Sequence, residues 1–182
     1  MAGIFNHIWK GMEDVSEYHK NACHSFALKY NCTRESYHAK IFEGNESARL
    51  MDKITNDEIS CLVNLPEIKP HIEAIRNFNT LRKKAFGQQL ESGWKIALDK
   101  FNISYKNIPN ITKPLKVHIL LAHLQEFIEK YGKNKGLGFY SEQTGEAVHQ
   151  KFEKIFGKYF IKNIISEQYG KHLHKAVVEF SS

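Results

Sequence analysis

Apolar residues recur along this chain at helical rather than strand spacing, and their pattern divides it into about six or seven helices. Between 4 and 30 the series Ile4, Ile8, Met12, Val15, Tyr18 or His19, Ala22, Phe26, Tyr30 predicts one long helix, weakened slightly at Gly11. After the Gly44-Asn45 turn, Asn45 reads as the N-cap of a helix over 46–54 that turns Leu50, Met51 and Ile54 inward. Pro66 suits the first turn of a helix over 66–87, with Ile72, Ile75, Phe78, Leu81 and Ala85 as its stripe. A helix over 88–104 buries Leu90, Trp94, Ala97, Leu98 and Phe101, and the two read as a hairpin or as one helix bent through Gly87. Apolar side chains nearly encircle 114–131, which predicts the central, buried helix. Ser141 caps a helix over 141–156 with Val148, Phe152, Ile155 and Phe156 inward. A last helix over 167–180 turns Leu173, Ala176, Val177 and Phe180 inward. Val177-Val178-Glu179-Phe180 also fits a short terminal strand. The fold class is therefore mainly α, a single domain over 1–182.

Composition narrows the class. The chain has 182 residues, 42% of them hydrophobic and 12% aromatic, enough to bury a core and too many for a disordered chain. The formal net charge of +6 is compatible with nucleic acid and equally with an ordinary basic surface. Cys23, Cys32 and Cys61 lack paired spacing and read as reduced thiols, so no disulfide framework or paired-cysteine zinc signature is expected. The start Met1-Ala2-Gly3-Ile4-Phe5 has no basic segment ahead of a continuous apolar run, and no stretch reaches the apolar length of a membrane span. An intracellular protein, nuclear or cytoplasmic and not secreted, is expected. The glycosylation patterns at Asn31, Asn45, Asn102 and Asn110 then carry no weight.

Three groupings are candidates for chemistry. On the helix over 141–156, Glu142, Glu146, His149 and Glu153 fall at i, i+4, i+7 and i+11, one narrow stripe beside the apolar face. Glu142 and Glu146, with His149 or His118 nearby, form a candidate metal site, for which carboxylates would favour Mg²⁺ or Mn²⁺. The same residues have an ordinary reading: a carboxylate behind an N-cap favours the helix dipole, and Glu146 and Glu153 have lysines within reach. The loop residues Tyr37, His38, Glu43 and Asn45 form a dense polar and aromatic set that suits a partner or simply ties the loop down. His118 and His123 read as core histidines of the central helix. His7, His19 and His24 share no helix face and read as surface or half-buried. Arg76, Arg82, Lys83 and Lys84 could touch phosphates but fit a solvated face as well.

Two stretches carry a resemblance. They are Arg34-Glu35-Ser36-Tyr37-His38-Ala39-Lys40-Ile41-Phe42-Glu43-Gly44-Asn45, and Lys116-Val117-His118-Ile119-Leu120 followed by Gly136 to Phe152 with Ser141-Glu142-Gln143-Thr144-Gly145-Glu146-Ala147-Val148-His149 inside it. Together with Tyr169-Gly170 and Ala176-Val177-Val178, the chain resembles functionally uncharacterised, transposable-element-derived proteins of animal genomes. More loosely it resembles the C-terminal part of DDE transposases of RNase H-like fold, the helical insertion and the helix after it. That resemblance implies that Glu142, with Glu146 as the other candidate, stands where such an enzyme has its last catalytic carboxylate, and that the ancestral chemistry is two-metal phosphodiester cleavage. The early strand-borne aspartates of such an enzyme have no counterpart: Asp14, Asp52, Asp57 and Asp99 all fall on helical or loop stretches.

The leading expectation is therefore a catalytically incomplete transposase fragment or domesticated remnant with nucleic-acid-binding ancestry, whose partners are DNA or other element-encoded or host proteins, and not a membrane. A helical protein-interaction module is the alternative. A small metal-dependent hydrolase built on Glu142, Glu146, His149 and His118 is the third.

Overall fold

The structure, a computed structural model, describes residues 1–34, 41–56, 62, 65–132, 134–140, 154–155, 157–158 and 167–181, with backbone alone for 139–140, 167–170, 173 and 180–181. It is mainly α. Seven α-helices are described: α1 (Ala2–Glu13), α2 (Glu17–Lys29), α3 (Gly44–Thr55), α4 (Lys69–Ala85), α5 (Trp94–Lys106), α6 (Leu115–Phe127) and α7 (Glu167–Ser181). Among the described residues the β-type pairing is one isolated bridge, Gln89 to Lys135. The chain divides into two compact units, Met1–Leu137 and Gly138–Ser182.

The first unit is organised around α4. Its stripe, Ile72, Ile75, Phe78, Leu81 and Ala85, is buried as the periodicity requires. Packed against it are α1, α3 and α5, and the α4–α5 pair is the most extensive in the fold, the expected hairpin. Trp94, Ala97, Leu98 and Phe101 supply the α5 side, and Phe78 and Phe101 meet at 5.1 Å between ring centres. A second aromatic cluster joins α1, α2 and Phe42, which precedes the N-cap of α3. Trp9 lies 5.4 Å from Phe5, 6.3 Å from Phe26 and 5.6 Å from Phe42. Each such buried ring contributes about 1.5–3 kcal/mol by removal from water.

Several elements depart from the expected ones. The long helix over 4–30 is two helices. Asp14 closes α1, and Ser16 is the N-cap of α2, its Oγ accepting from His19 N at 3.4 Å. Val15 and Tyr18 fit the helical period yet stand exposed, Val15 within the break and Tyr18 in the first turn of α2. The N-cap of α3 is Glu43, not Asn45. Glu46 Oε2 accepts from Glu43 N at 3.4 Å, and its Oε1 accepts from Thr33 N at 2.9 Å, so one carboxylate ties the preceding loop to the helix start. A 3₁₀ turn, Pro66–Ile68, leads into α4, with Pro70 accommodated in the first turn. Residues 88–93 are a loop rather than the start of α5; the left-handed Gly93 (φ 76°) opens that helix.

The expected central helix is peripheral. Of α6, Val117, Leu120 and Leu124 are buried, while Leu115 is 70% and Ile119 50% exposed. Its end unwinds into a single π-turn, Ile128–Gly132. In the second unit, α7 runs unbroken through Val177-Val178-Glu179, so the terminal-strand alternative fails; Ala176 is buried and Val177, expected inward, is exposed. Of the expected 141–156 helix the structure describes Lys154, exposed, and Ile155, buried, which agrees with its apolar pattern.

After the π-turn, residues 134–136 strap the α4–α5 loop. Leu90 N donates to Asn134 O and Gly136 N to Gln88 O, both at 3.1 Å. A side chain at Gly136 would run into the carbonyl oxygens of Gly87, Ala85 and Gln89, all backbone and unable to swing away. Gly136→Ala is therefore expected to cost about 1–3 kcal/mol of unfolding free energy. Urea denaturation measures this; an unchanged midpoint would mean that the strap is not needed for the fold.

Candidate functional site

Glu142, Glu146 and His149 lie outside the described residues, as do Tyr37 and His38. The described site candidates do not come together. His118 is exposed on α6 instead of buried, its ring 5.5 Å from and perpendicular to that of His123. His123 in turn lies 3.7 Å from Glu126 and is itself exposed, so neither histidine fills a core position. Glu43 and Asn45 belong to the start of α3, Glu43 as its cap and Asn45 exposed in its first turn. Among the described residues no three His, Cys, Asp or Glu converge as metal ligands. Cys23 and Cys32 are buried free thiols; burial is the main influence that raises the Cys32 thiol above its ordinary value.

The described aspartates have other work. Asp52 lies between α3 and α4 and receives Asn79 Nδ2 at 3.0 Å, Arg82 at 3.1 Å and Lys83 Nζ at 2.8 Å. Burial would raise its carboxyl, but the hydrogen bonds from Lys83 and Asn79 and the charges of Arg82 and Lys83 together hold it below the usual range. Asn79 is fully buried; it also donates to Thr55 Oγ1 at 2.9 Å and accepts from Arg82 Nε at 2.8 Å. Arg76 Nε donates to Ile54 O at 3.1 Å, closing the end of α3, and Lys84 Nζ donates to Ser92 O at 2.9 Å. The basic row of α4 is thus engaged in bracing its neighbours. Asp14 pairs with Lys10 at 2.9 Å, Asp99 is exposed on α5, and Asp57 lies outside the described residues.

A cavity with polar lining lies elsewhere in the first unit, and one of its two histidines, His71, was not a candidate in the sequence. A cleft of about 680 Å³ opens between α1, the 3₁₀ turn with the start of α4, and the loop after α5. His7, Lys10, Gly11, Asp14, Glu67 and His71 line it. The loop wall is fixed by Thr112, whose carbonyl oxygen accepts from His7 Nε2 at 3.0 Å and from the Tyr105 hydroxyl at 2.6 Å. Burial pushes the Tyr105 phenol up to about 12, so it stays a donor at any physiological pH. Glu67 Oε2 accepts from His19 Nε2 at 3.4 Å, and His19 Nδ1 shares a 2.7 Å hydrogen bond with Ser16 Oγ.

His71 is the anomaly. It is only 4% exposed, and its Nδ1 is buried without a hydrogen-bond partner. Its Nε2 lies 2.9 Å from where a Cβ at position 11 would be, so the ring fits because α1 carries glycine there. Gly11, a weak spot in a helical pattern, was the one sequence signal of this close approach; nothing in His71 itself marked it. Compared with family models, with curated proteins and with solved structures, the chain matches none.

Burial lowers the His71 imidazole from 6.5 to about 4. The unfolded chain therefore takes up this proton first on acidification. The contribution of His71 to stability is complete above about pH 6.5 and is lost, at up to about 1.4 kcal/mol per pH unit, as the pH falls towards 4. His71→Gln should flatten that part of the stability profile in chemical denaturation at stepped pH. Parallel profiles for the two proteins would mean that His71 is not the group being protonated.

Proposed function

We propose that this chain is a catalytically incomplete, transposable-element-derived protein that acts by binding nucleic acid. Its ancestry rests on the resemblance carried by Arg34–Asn45, Lys116–Leu120 and Gly136–Phe152. The observation that carries the loss of catalysis is the use of its aspartates. A two-metal nuclease needs aspartates held free on strands around its ions. Here Asp52 is neutralised between Asn79, Arg82 and Lys83, Asp14 ends a helix in a pair with Lys10, and Asp99 stands exposed on α5.

Since Arg76, Arg82, Lys83 and Lys84 of α4 brace its neighbours, the nucleic-acid contact falls to other lysines. Lys106, Lys113 and Lys116 bracket the α5–α6 connection, are exposed, and form no ion pair among the described residues. Duplex retention that weakens steeply with salt is expected. Replacing these three by alanine should reduce the salt slope by roughly 0.9 for each phosphate that is no longer neutralised. Absence of retention by the unaltered protein at low salt would remove the reading. Loss of binding in an Arg82→Ala, Lys83→Ala variant alone would move the interface to α4.

A second reading, the protein-interaction module, is favoured by α6. An apolar groove of about 380 Å³ runs between α1, α6 and the end of α4, lined by Ile4, Phe86, Leu120, Leu124 and Phe127, with Lys116 as the charged side chain at its edge. Leu115 and Ile119 stand exposed on the same helix. An amphipathic partner helix with acidic flanks matches this apolar floor and basic rim. A synthetic peptide with a leucine stripe and Glu flanks should bind several-fold more tightly than its Lys-flanked isomer, and Ile119→Glu should abolish the difference. Equal binding of both peptides would count against this reading, and so would self-association of the chain through the groove at micromolar concentration.

A further inference from the structure

The apolar groove along α6 has a volume of about 380 Å³, within the range of small-molecule sites, roughly 300–1,000 Å³. Ile4, Leu120 and Leu124, all buried, form part of its lining, and Phe86, Phe127 and Leu137 pack against the core beside them. Ile119 is half exposed in the same lining. On α6, Lys116, Leu120, His123 and Phe127 follow at i, i+4, i+7 and i+11, so the groove runs along one face of that helix. The rise from Lys116 to Leu124 is about 12 Å, the reach of a straight chain of about ten carbons.

The charges at the groove select a head group. Of the lining side chains, Lys116 and His123 are ionisable. Lys116 lies back against α1: its Nζ is 3.2 Å from where a Cβ at position 3 would be, and the glycine there leaves it room. Neither the first turn of α1 nor that of α6, which holds Lys116, contains an acidic residue. Lys116 forms no ion pair among the described residues. His123, by contrast, has the carboxylate of Glu126 at 3.7 Å. The surplus charge of the groove is therefore positive and sits at its α1 end. A cationic amphiphile would meet like charge there. A bare inorganic anion would pair with one exposed lysine, which is worth little, and would gain nothing from the apolar floor. An uncharged hydrocarbon would fill the floor and leave the ammonium without a counter-ion.

We infer that this groove binds a single straight-chain carboxylate of about ten carbons, its tail laid over Leu120 and Leu124 towards Phe127 and its head at the Lys116 ammonium. Burial of the tail supplies the affinity, and Lys116 sets which way round the molecule lies. The ligand shares the groove with the peptide proposed above but does not depend on that reading.

Hexanoate, octanoate and decanoate, with decylammonium as the cationic control, are titrated into the full chain near neutral pH and below their micelle-forming concentrations, while backbone amide signals are followed by NMR. Decanoate should shift the signals of 116–127 saturably and leave those of α2 in place. Binding should tighten about four-fold for each added methylene, the increment expected when the tail leaves water. Decylammonium should bind roughly three-fold or more weakly than decanoate, the scale of an exposed ion pair exchanged for a like-charge contact. Lys116→Gln, a change at an exposed side chain, should erase that difference and keep the dependence on chain length. Ile119→Glu, also at an exposed position, should weaken decanoate. The inference is overturned if decanoate gives no saturable shift, if chain length makes no difference, if decylammonium binds as tightly as decanoate, or if Lys116→Gln keeps the full preference. Shifts spread over the whole chain, the mark of detergent action, overturn it as well. Should the Glu-flanked peptide bind where decanoate does not, this inference falls and the peptide reading stands.

Discussion

Everything in the first unit depends on burying one stripe of one helix. α4 presents Ile72, Ile75, Phe78, Leu81 and Ala85 to α1, α3 and α5, and no other described helix packs so extensively. Its opposite edge is polar and is not left to solvent. Asn79, Arg82 and Lys83 converge on Asp52, and Arg76 closes the last turn of α3. Apolar packing gives the contact its energy, and the polar edge fixes its register, because Asn79 has partners in only one alignment of α3 on α4.

That division of labour bears on function. Net positive charge suggests phosphate binding only where the cations are free to bind it. On α4, Arg76, Arg82, Lys83 and Lys84 are committed to carbonyls and to Asp52. Lys106, Lys113 and Lys116, which form no ion pair among the described residues, flank or belong to α6 with its exposed apolar residues, so basic and apolar surface adjoin there. A surface of that composition suits a nucleic acid and an acidic helix about equally by charge, and salt dependence separates the two.

Much of the architecture was legible in the sequence. The α4 stripe was read residue by residue because an amphipathic helix records its own burial. The break between α1 and α2 was hidden because Val15 and Tyr18 happen to satisfy the helical period, while Ser16, the residue that decides, sits unremarked between them. The placing of α6 failed for another reason. Apolar residues all round a helix show what it could bury, not how many neighbours arrive to cover it, and Leu115 and Ile119 remain bare. The cleft was illegible because it depends on Gly11 and His71, which are remote in sequence and ordinary when taken singly. The Glu142, Glu146 and His149 stripe lies outside the described residues, so its sequence reading stands as an expectation.

The contact between Gly11 and His71 has an evolutionary consequence. The two positions share a fixed volume: whatever is added at one must be removed at the other. A single substitution at position 11 meets a buried imidazole 2.9 Å away, which must shift before a larger side chain fits, so drift there is costly until position 71 shrinks first. Descendants of this sequence should therefore change the two sites in order, smaller at 71 and then larger at 11. A lineage found with a bulky residue at 11 will have given up the buried imidazole, and with it the cleft wall that the imidazole forms.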